Sequence, residues 1–291
     1  MRGNPESHHF IDAANLDEIL ALLAKEPGEW TAIAGGTEIM VAHAAGRLSA
    51  KKLINLWGVP ELSNIVVTET HLSIGGGVTF NQIRHDATII AEFPLLAQAA
   101  SWIGSIANQS RATIAGNIVN GSPAADAPPA LLVYDAEIEL ISHKGTRRLA
   151  YSDFHTGYKQ SLLLSSELVL AIHLPRHHEQ QIKYLRKVGT RRAMAITKVA
   201  LAGTASSVHH AITRIRIAAA SVADRPLRLI ATEAALLNEP LNESTLSRAR
   251  KALWSEVRPI DDLRSTAEYR KQVIANLLDE FLTQIARSSP S

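Results

Sequence analysis

The chain has 291 residues, 46% hydrophobic and 20% charged, which suits a soluble globular protein of two domains. Its net charge of +2 comes from scattered basic residues without aromatic interleaving, which argues against a nucleic-acid partner, and no apolar run reaches the roughly 20 residues that span a bilayer. The absence of cysteine excludes disulfides and thiolate-held iron–sulfur clusters. With no apolar secretory stretch near Met1, a cytoplasmic protein is expected.

In chain order, Asn15 followed by Asp17, Glu18 and a leucine-rich period predicts a capped amphipathic helix ending near Pro27. Thr31 to Ala34 reads as a strand that stops at Gly35 and Gly36; a helix then begins near Glu38, and Lys52 to Leu56 is a second strand. From Pro60 the texture changes to strands at Ile65 to Val67 and Leu72 to Ile74, then helices between Asn81 and Ile103. A second glycine-bearing turn is placed at Gly116 and a helix at Ala130 to Tyr134. A hairpin around Lys144 and Gly145 follows, then a buried strand at Leu168 to Leu174.

The polar run from Pro175 to Gln181 reads as a domain boundary, giving 1–176, with lobes about 1–58 and 59–176, and 177–291. The second part shows strands at Ile182 to Val188, Val199 to Ser206 and Thr213 to Ala220, then helices from Leu227, Ser244 and Ala267. Strands with segregated helices indicate an α+β domain. The tail from Arg287 to Ser291 reads as disordered. The histidine pairs His8–His9, His177–His178 and His209–His210 lie in polar stretches, so they read as surface residues and no metal site is expected.

Two turns carry chemistry. At Gly35, Gly36, Thr37 and Glu38, a strand gives way to a helix through residues that let several backbone N–H groups converge, an arrangement that binds phosphate. Alone, a glycine pair is more often only a tight turn. Thr113, Ile114, Ala115, Gly116 and Asn117 repeat the pattern with a hydroxyl, a glycine and an amide. Two separate donor-rich turns suit a pyrophosphate held from both sides, and neither a Rossmann GxGxxG nor a Walker A sequence is present.

Five stretches taken together, AGGTE, TIAGN with SPAAD, FHTGYKQSLL, SSELVLAIHLP and KYLRKVGTRRAMAITKVALAG, resemble in order the motifs of the flavoprotein subunits of molybdenum hydroxylases, the xanthine dehydrogenase and carbon monoxide dehydrogenase family. The resemblance implies an α+β protein: a two-lobed FAD-binding domain of the vanillyl-alcohol oxidase (PCMH) type, followed by a small CO dehydrogenase flavoprotein-like C-terminal domain. Ala34, Gly35, Gly36, Thr37 and Glu38 would then lie along the FAD pyrophosphate, flanked by Ala32, Ile33 and Ile39, with Thr113, Gly116 and Asn117 as a second clasp. Asp126 would bond the cofactor's polar chain or ring; read alone it is equally a helix cap before Pro128 and Pro129. Val169 would touch the flavin through its backbone. Lys187 would lie near the isoalloxazine, where an ammonium favours the reduced anion; its bland reading is a solvated strand lysine. Trp102 is either core or a shield for the flavin edge. Ala115 departs from the family's glycine pair, and Gln109 stands where an arginine is common.

The same resemblance implies an electron-relay oxidoreductase subunit. A large molybdopterin-binding subunit would transform the organic substrate, a small subunit with two [2Fe-2S] clusters would pass electrons to FAD here, and an acceptor such as NAD would receive them. The alternatives are a free-standing FAD oxidase or dehydrogenase and a cofactor-free assembly module. No acid–base pair or nucleophile stands beside the glycine turns in the sequence, which favours the relay.

Overall fold

The computed structural model describes residues 7–13, 15–176, 181–191, 193–208 and 211–288. The first lobe runs β1 (His9–Ile11), α1 (Leu16–Lys25), β2 (Trp30–Ile33), α2 (Ile39–Ala44) and β3 (Lys52–Asn55). Asn15 starts α1 because its side chain accepts the Glu18 amide at 2.9 Å, and the i, i+3, i+4, i+7 spacing of Leu16, Ile19, Leu20 and Leu23 buries one face. The three strands pair in parallel in the order β1-β3-β2. The strand predicted at Thr31 to Ala34 is shifted by one residue to Trp30–Ile33, that at Lys52 to Leu56 ends at Asn55, and β1, at three residues too brief to show a period, is an addition.

The second lobe contains β4 (Ile65–Val67), β5 (His71–Gly75), α3 (Phe80–His85), α4 (Ala87–Glu92), α5 (Pro94–Trp102), α6 (Ile106–Gln109), α7 (Ile114–Val119), α8 (Ala127–Val133), β6 (Glu137–Ser142), β7 (Gly145–Ala150), α9 (Tyr151–Phe154), β8 (His155–Gly157), β9 (Gln160–Ser161) and β10 (Leu168–Pro175). Its five-stranded sheet has the order β4-β5-β10-β6-β7 and is antiparallel. Alternation along β5, β6 and β10 sends Leu72, Ile74, Ile138, Leu140, Ile172 and Leu174 into one core, which also holds the apolar residues of α3, α5 and α8.

Two expectations are corrected here. Gly116 lies in the first turn of α7, because Thr113 caps that helix by accepting the Gly116 amide and Ile114 and Ile118 anchor its buried face. The helix placed at Ala130 to Tyr134 starts at Ala127, since Pro128 and Pro129 occupy a first turn in which an amide proton is not needed.

The last part comprises β11 (Ile182–Val188), β12 (Val199–Val208), β13 (Ala211–Ala220), β14 (Leu227–Arg228), α10 (Ile230–Leu236), α11 (Glu243–Glu256) and α12 (Ala267–Ser288). Its antiparallel sheet is covered on both faces. Tyr184, Leu201, Ala205, Ile215 and Ile217 pack toward α10, α11 and α12, whereas Leu185, Ala202 and Ala218 join the core around α8. Arg228 and Arg216 lock this contact by pairing with Asp135 at 2.8 and 2.9 Å. Burial works against the Asp135 charge, but the two guanidinium groups hold its pKa below the usual carboxylate value. The segment from Leu227 opens with a short strand before its helix, and α12 continues through Arg287 and Ser288, where disorder was expected. Residues 289–291 and the pairs His177–His178 and His209–His210 lie outside the described residues.

Candidate functional site

The two glycine segments, far apart in sequence, line one cavity of about 450 Å³. β2 and α2 supply Ala32, Ala34, Gly35, Gly36, Thr37, Glu38 and Ile39 on one wall, and α7 supplies Thr113, Gly116 and Asn117 on the other. Among the described residues, the amides of Gly35, Gly36, Thr37 and Glu38 find no backbone acceptor, so they are available to an anion. The second wall differs from expectation. The amides of Ile114 and Ala115 bond to Val78 and Gly76 carbonyls, and Gly116 N–H donates to Thr113, which leaves the Thr113 hydroxyl proton and the Asn117 side chain as its donors.

Each glycine of the first segment has its own reason. A methyl group on Gly35 would overlap the Arg111 carbonyl, so the absence of Cβ there lets the two walls meet. Gly36 has φ +73°, a left-handed conformation costly for other residues. Ala115 keeps a negative φ within α7 and therefore replaces a glycine without backbone strain. Gln109 is buried and bonded to Arg84 and to the Ser101 carbonyl, a role in packing. Ile33 is buried beside Gly36 and does not line the cavity.

The middle cavity opens at both ends. Thr31, Ala32, Ala34, Thr113, Gly116 and Val119 also line an apolar cavity of about 290 Å³ that continues past Leu23, Leu56 and Val169. Ile103, Gly104, Asn117 and Asn120 are shared with a cavity of about 1080 Å³ between the two domains. The three form a continuous cleft, and it separates Val169 from Asp126, which lines the large cavity. Trp102 packs against the core and its neighbours Ile103 and Gly104 line the cleft.

Asp126 occupies the position before α8 but makes no cap bond there. Its carboxylate instead accepts from Lys187 Nζ at 2.7 Å and from the Thr197 hydroxyl at 2.6 Å. The period of two along β11 aims Leu185 and Lys187 at the first domain while Tyr184 and Arg186 face α12. Both partners of the ion pair are only 11% exposed, so Lys187 is not the solvated strand lysine of its bland reading: its ammonium is paired with Asp126 beside the large cavity. Burial raises the Asp126 pKa, opposed by Lys187 and Thr197.

Residues that sequence reasoning missed line the large cavity from the C-terminal domain: Thr197, Ser221, Arg225, Arg258 and Arg270. The segment Ser221 to Arg225 carries no motif, and Ser221 takes φ +63°, which its sequence does not announce. Arg270 is buried, donating to the Lys198 and Ser221 carbonyls and to Asp262. Thr197 lies inside the stretch that carried the family likeness, the one available signal.

The architecture and cleft define a two-domain protein of mixed helix and sheet that holds an extended, phosphate-bearing ligand. Residues 6–177 match the family profile described as FAD binding domain in molybdopterin dehydrogenase, and residues 184–285 match the CO dehydrogenase flavoprotein C-terminal domain. The chain belongs to this family of FAD-binding molybdopterin dehydrogenase domains. It is similar to the xanthine dehydrogenase FAD-binding subunit of Escherichia coli O157:H7, 28% identical with 94% of each chain covered. It is 26% identical to the carbon monoxide dehydrogenase medium chain of Hydrogenophaga pseudoflava over 96% of each. Among solved structures, a carbon monoxide dehydrogenase from Hydrogenophaga pseudoflava superposes with a TM-score of 0.91 at 25% identity, covering 97% of this chain and 98% of that one.

The residues fit FAD. Asn117 Oδ1 is buried at the junction of the middle and large cavities with no protein partner, a group that a ligand donor would satisfy. Gly35 to Glu38, whose amides have no backbone acceptor among the described residues, line the same space.

Proposed function

We propose that this chain is the electron-relay subunit of a molybdopterin-dependent dehydrogenase, receiving electrons from iron–sulfur clusters on a small partner and delivering them to an acceptor such as NAD. FAD, when bound, supplies the exchange between one-electron and two-electron carriers. In this reading the adenosine end lies in the apolar cavity beside Val169. The pyrophosphate lies against Gly35, Gly36, Thr37, Glu38, Thr113, Gly116 and Asn117, and the ring lies in the large cavity by Asp126. Ala32, Ala34 and Ile39 wall the passage between them.

One observation carries the relay over a free-standing oxidase. Of the four carboxylates that line the large cavity among the described residues, three are held by short bonds: Asp126 with Lys187 and Thr197, Glu256 with the Ala231 and Thr232 amides, and Asp262 with Arg264 and Arg270, while Asp224 makes a 3.6 Å contact with its neighbour Arg225. Carboxylates held in this way are poorly placed to take a proton from an organic substrate, which supports the relay. Burial opposes the Asp262 charge, yet its bonds to the Arg264 and Ser265 amides and to Arg270 keep its pKa low. The chain also has no cysteine, so iron–sulfur clusters would sit on another, small subunit, and in this reading the molybdopterin sits on a large one. Tyr158, Met194, Ile196 and Ile260, all exposed beside the large cavity, suit a partner covering its mouth.

Affinity purification of the tagged chain from its native host tests this. A cysteine-rich chain and a large molybdopterin chain should co-purify, with substrate oxidation lost when this chain is isolated. Full turnover of the organic substrate by this chain alone would contradict the relay.

A further inference from the structure

The pyrophosphate of FAD carries two negative charges, and Glu38 is the one charged side chain among the described residues lining the middle cavity. A carboxylate at that place repels a phosphate, so the cavity lacks a counter-charge. A cation reaches Glu38 from a different motif. Lys159 sits in the turn joining β8 and β9, with φ +53°, and its Nζ lies 3.9 Å from Glu38 Oε1. The turn is pinned against the end of α7. Gly121, with φ +61°, has no Cβ, and one placed there would be 3.0 Å from Lys159 Cα. The Lys159 backbone therefore rests against Gly121, just past α7, while its ammonium reaches Glu38 at the other wall.

Resting on the FAD reading, we propose that Lys159 is the counter-charge of the bound pyrophosphate, leaving Glu38 for a phosphate oxygen when the cofactor enters. The exchange is favourable because the resting pair is long and both side chains are exposed, 48% for Lys159 and 65% for Glu38, a geometry that contributes little. A phosphate oxygen backed by the Gly35 to Glu38 amides is a stronger acceptor. Arg111 is a second cation beside the segment, its Nε 3.5 Å from the Gly35 carbonyl and its guanidinium stacked 3.8 Å from the Trp57 ring centroid, but it is held by these contacts whereas Lys159 has only the long pair with Glu38.

The test is titration of the flavin-stripped full chain with FAD and with riboflavin, which has the same ring and no phosphate. Lys159→Met should weaken FAD binding about tenfold while riboflavin affinity stays unchanged, and Lys159→Arg should restore FAD affinity. Independently, raising salt from about 50 to about 500 mM should cost the wild type more FAD affinity than Lys159→Met, because the screened charge pair is absent from the variant. Equal FAD affinity and equal salt dependence in wild type and Lys159→Met would overturn the counter-charge while leaving FAD binding intact. A wild-type chain that binds no FAD would overturn the underlying reading and this proposal with it.

Discussion

Lys187 Nζ and Asp126 Oδ2 lie 2.7 Å apart in a contact that ties β11 of the C-terminal domain to the start of α8, and both side chains are almost wholly buried. The pair is therefore part of the joint that shapes the large cavity. Lys187→Met leaves a buried carboxylate without its cation, a change that costs about 3–5 kcal/mol. The Asp126 pKa is already raised by burial. A carboxyl with a raised folded-state pKa stabilises below its ordinary range and loses that contribution as pH rises through the folded value. Lys187→Met raises it further, so the variant's stability deficit should widen as pH rises above the ordinary carboxylate range. Urea unfolding over that rise checks the slope. Lys187→Met combined with Asp126→Asn should recover most of the loss, and a double variant as unstable as the single one would show that the pair is not the cause.

Gly35 and Gly36 should differ when replaced by alanine. At Gly35 the new Cβ meets the Arg111 carbonyl, which backbone cannot yield cheaply, so the two walls must part. At Gly36 the Cβ lies 3.2 Å from Met40 Cγ, an exposed side chain free to move, and the cost is the left-handed backbone, about 1–2 kcal/mol. Gly35→Ala should lose FAD and melt lower than Gly36→Ala. The reverse order would contradict this assignment of roles.

Asn117→Leu separates stability from binding. The orphaned Oδ1 is a desolvated acceptor in the flavin-free chain, so its removal should leave the apoprotein as stable or more stable, by up to about 1–3 kcal/mol. FAD affinity should fall. Parallel melting and flavin titration measure both, and an apoprotein clearly weakened by the change would argue that Asn117 is a structural residue.

His155 gives an acid signature. Burial, reinforced by the nearby Arg225 charge, pushes its pKa down to about 4, while Tyr151 OH lies 3.0 Å from its Nε2. A base with a depressed folded-state pKa contributes stability that is complete above its ordinary value and is lost as pH falls toward the folded one. Between pH 6.5 and about 4 the wild type should therefore lose on the order of 3 kcal/mol through this group. His155→Gln should lose less over the same interval, as judged by urea midpoints. Parallel pH curves would remove His155 from the acid response.

The parts of the site that the sequence made legible are those with local causes. Gly35 and Gly36 stand at the junction of β2 and α2, Thr113 caps α7, and the period of two from Ile182 to Val188 puts Lys187 and Leu185 on one face. What stayed hidden depends on distant contacts. Asp126 could not be told from a helix cap until Lys187 and Thr197 were seen to take its oxygens. Gly116 read as a turn because the cap that draws it into α7 is a single hydroxyl. The β8–β9 hairpin that presents Lys159 is too short for any period, and the Ser221 to Arg225 wall owes its place to Arg270 and to the Ser221 amide bond with the Pro123 carbonyl.

The central claim is that the continuous cleft holds one FAD without a covalent bond. The most direct measurement is flavin content: the chain purified in its native assembly, precipitated with acid, and the supernatant separated by chromatography. The account predicts a yellow protein that releases intact FAD at one per chain and leaves a colourless pellet. A chain that remains empty after incubation with FAD, or flavin that stays with the precipitated polypeptide, would contradict it.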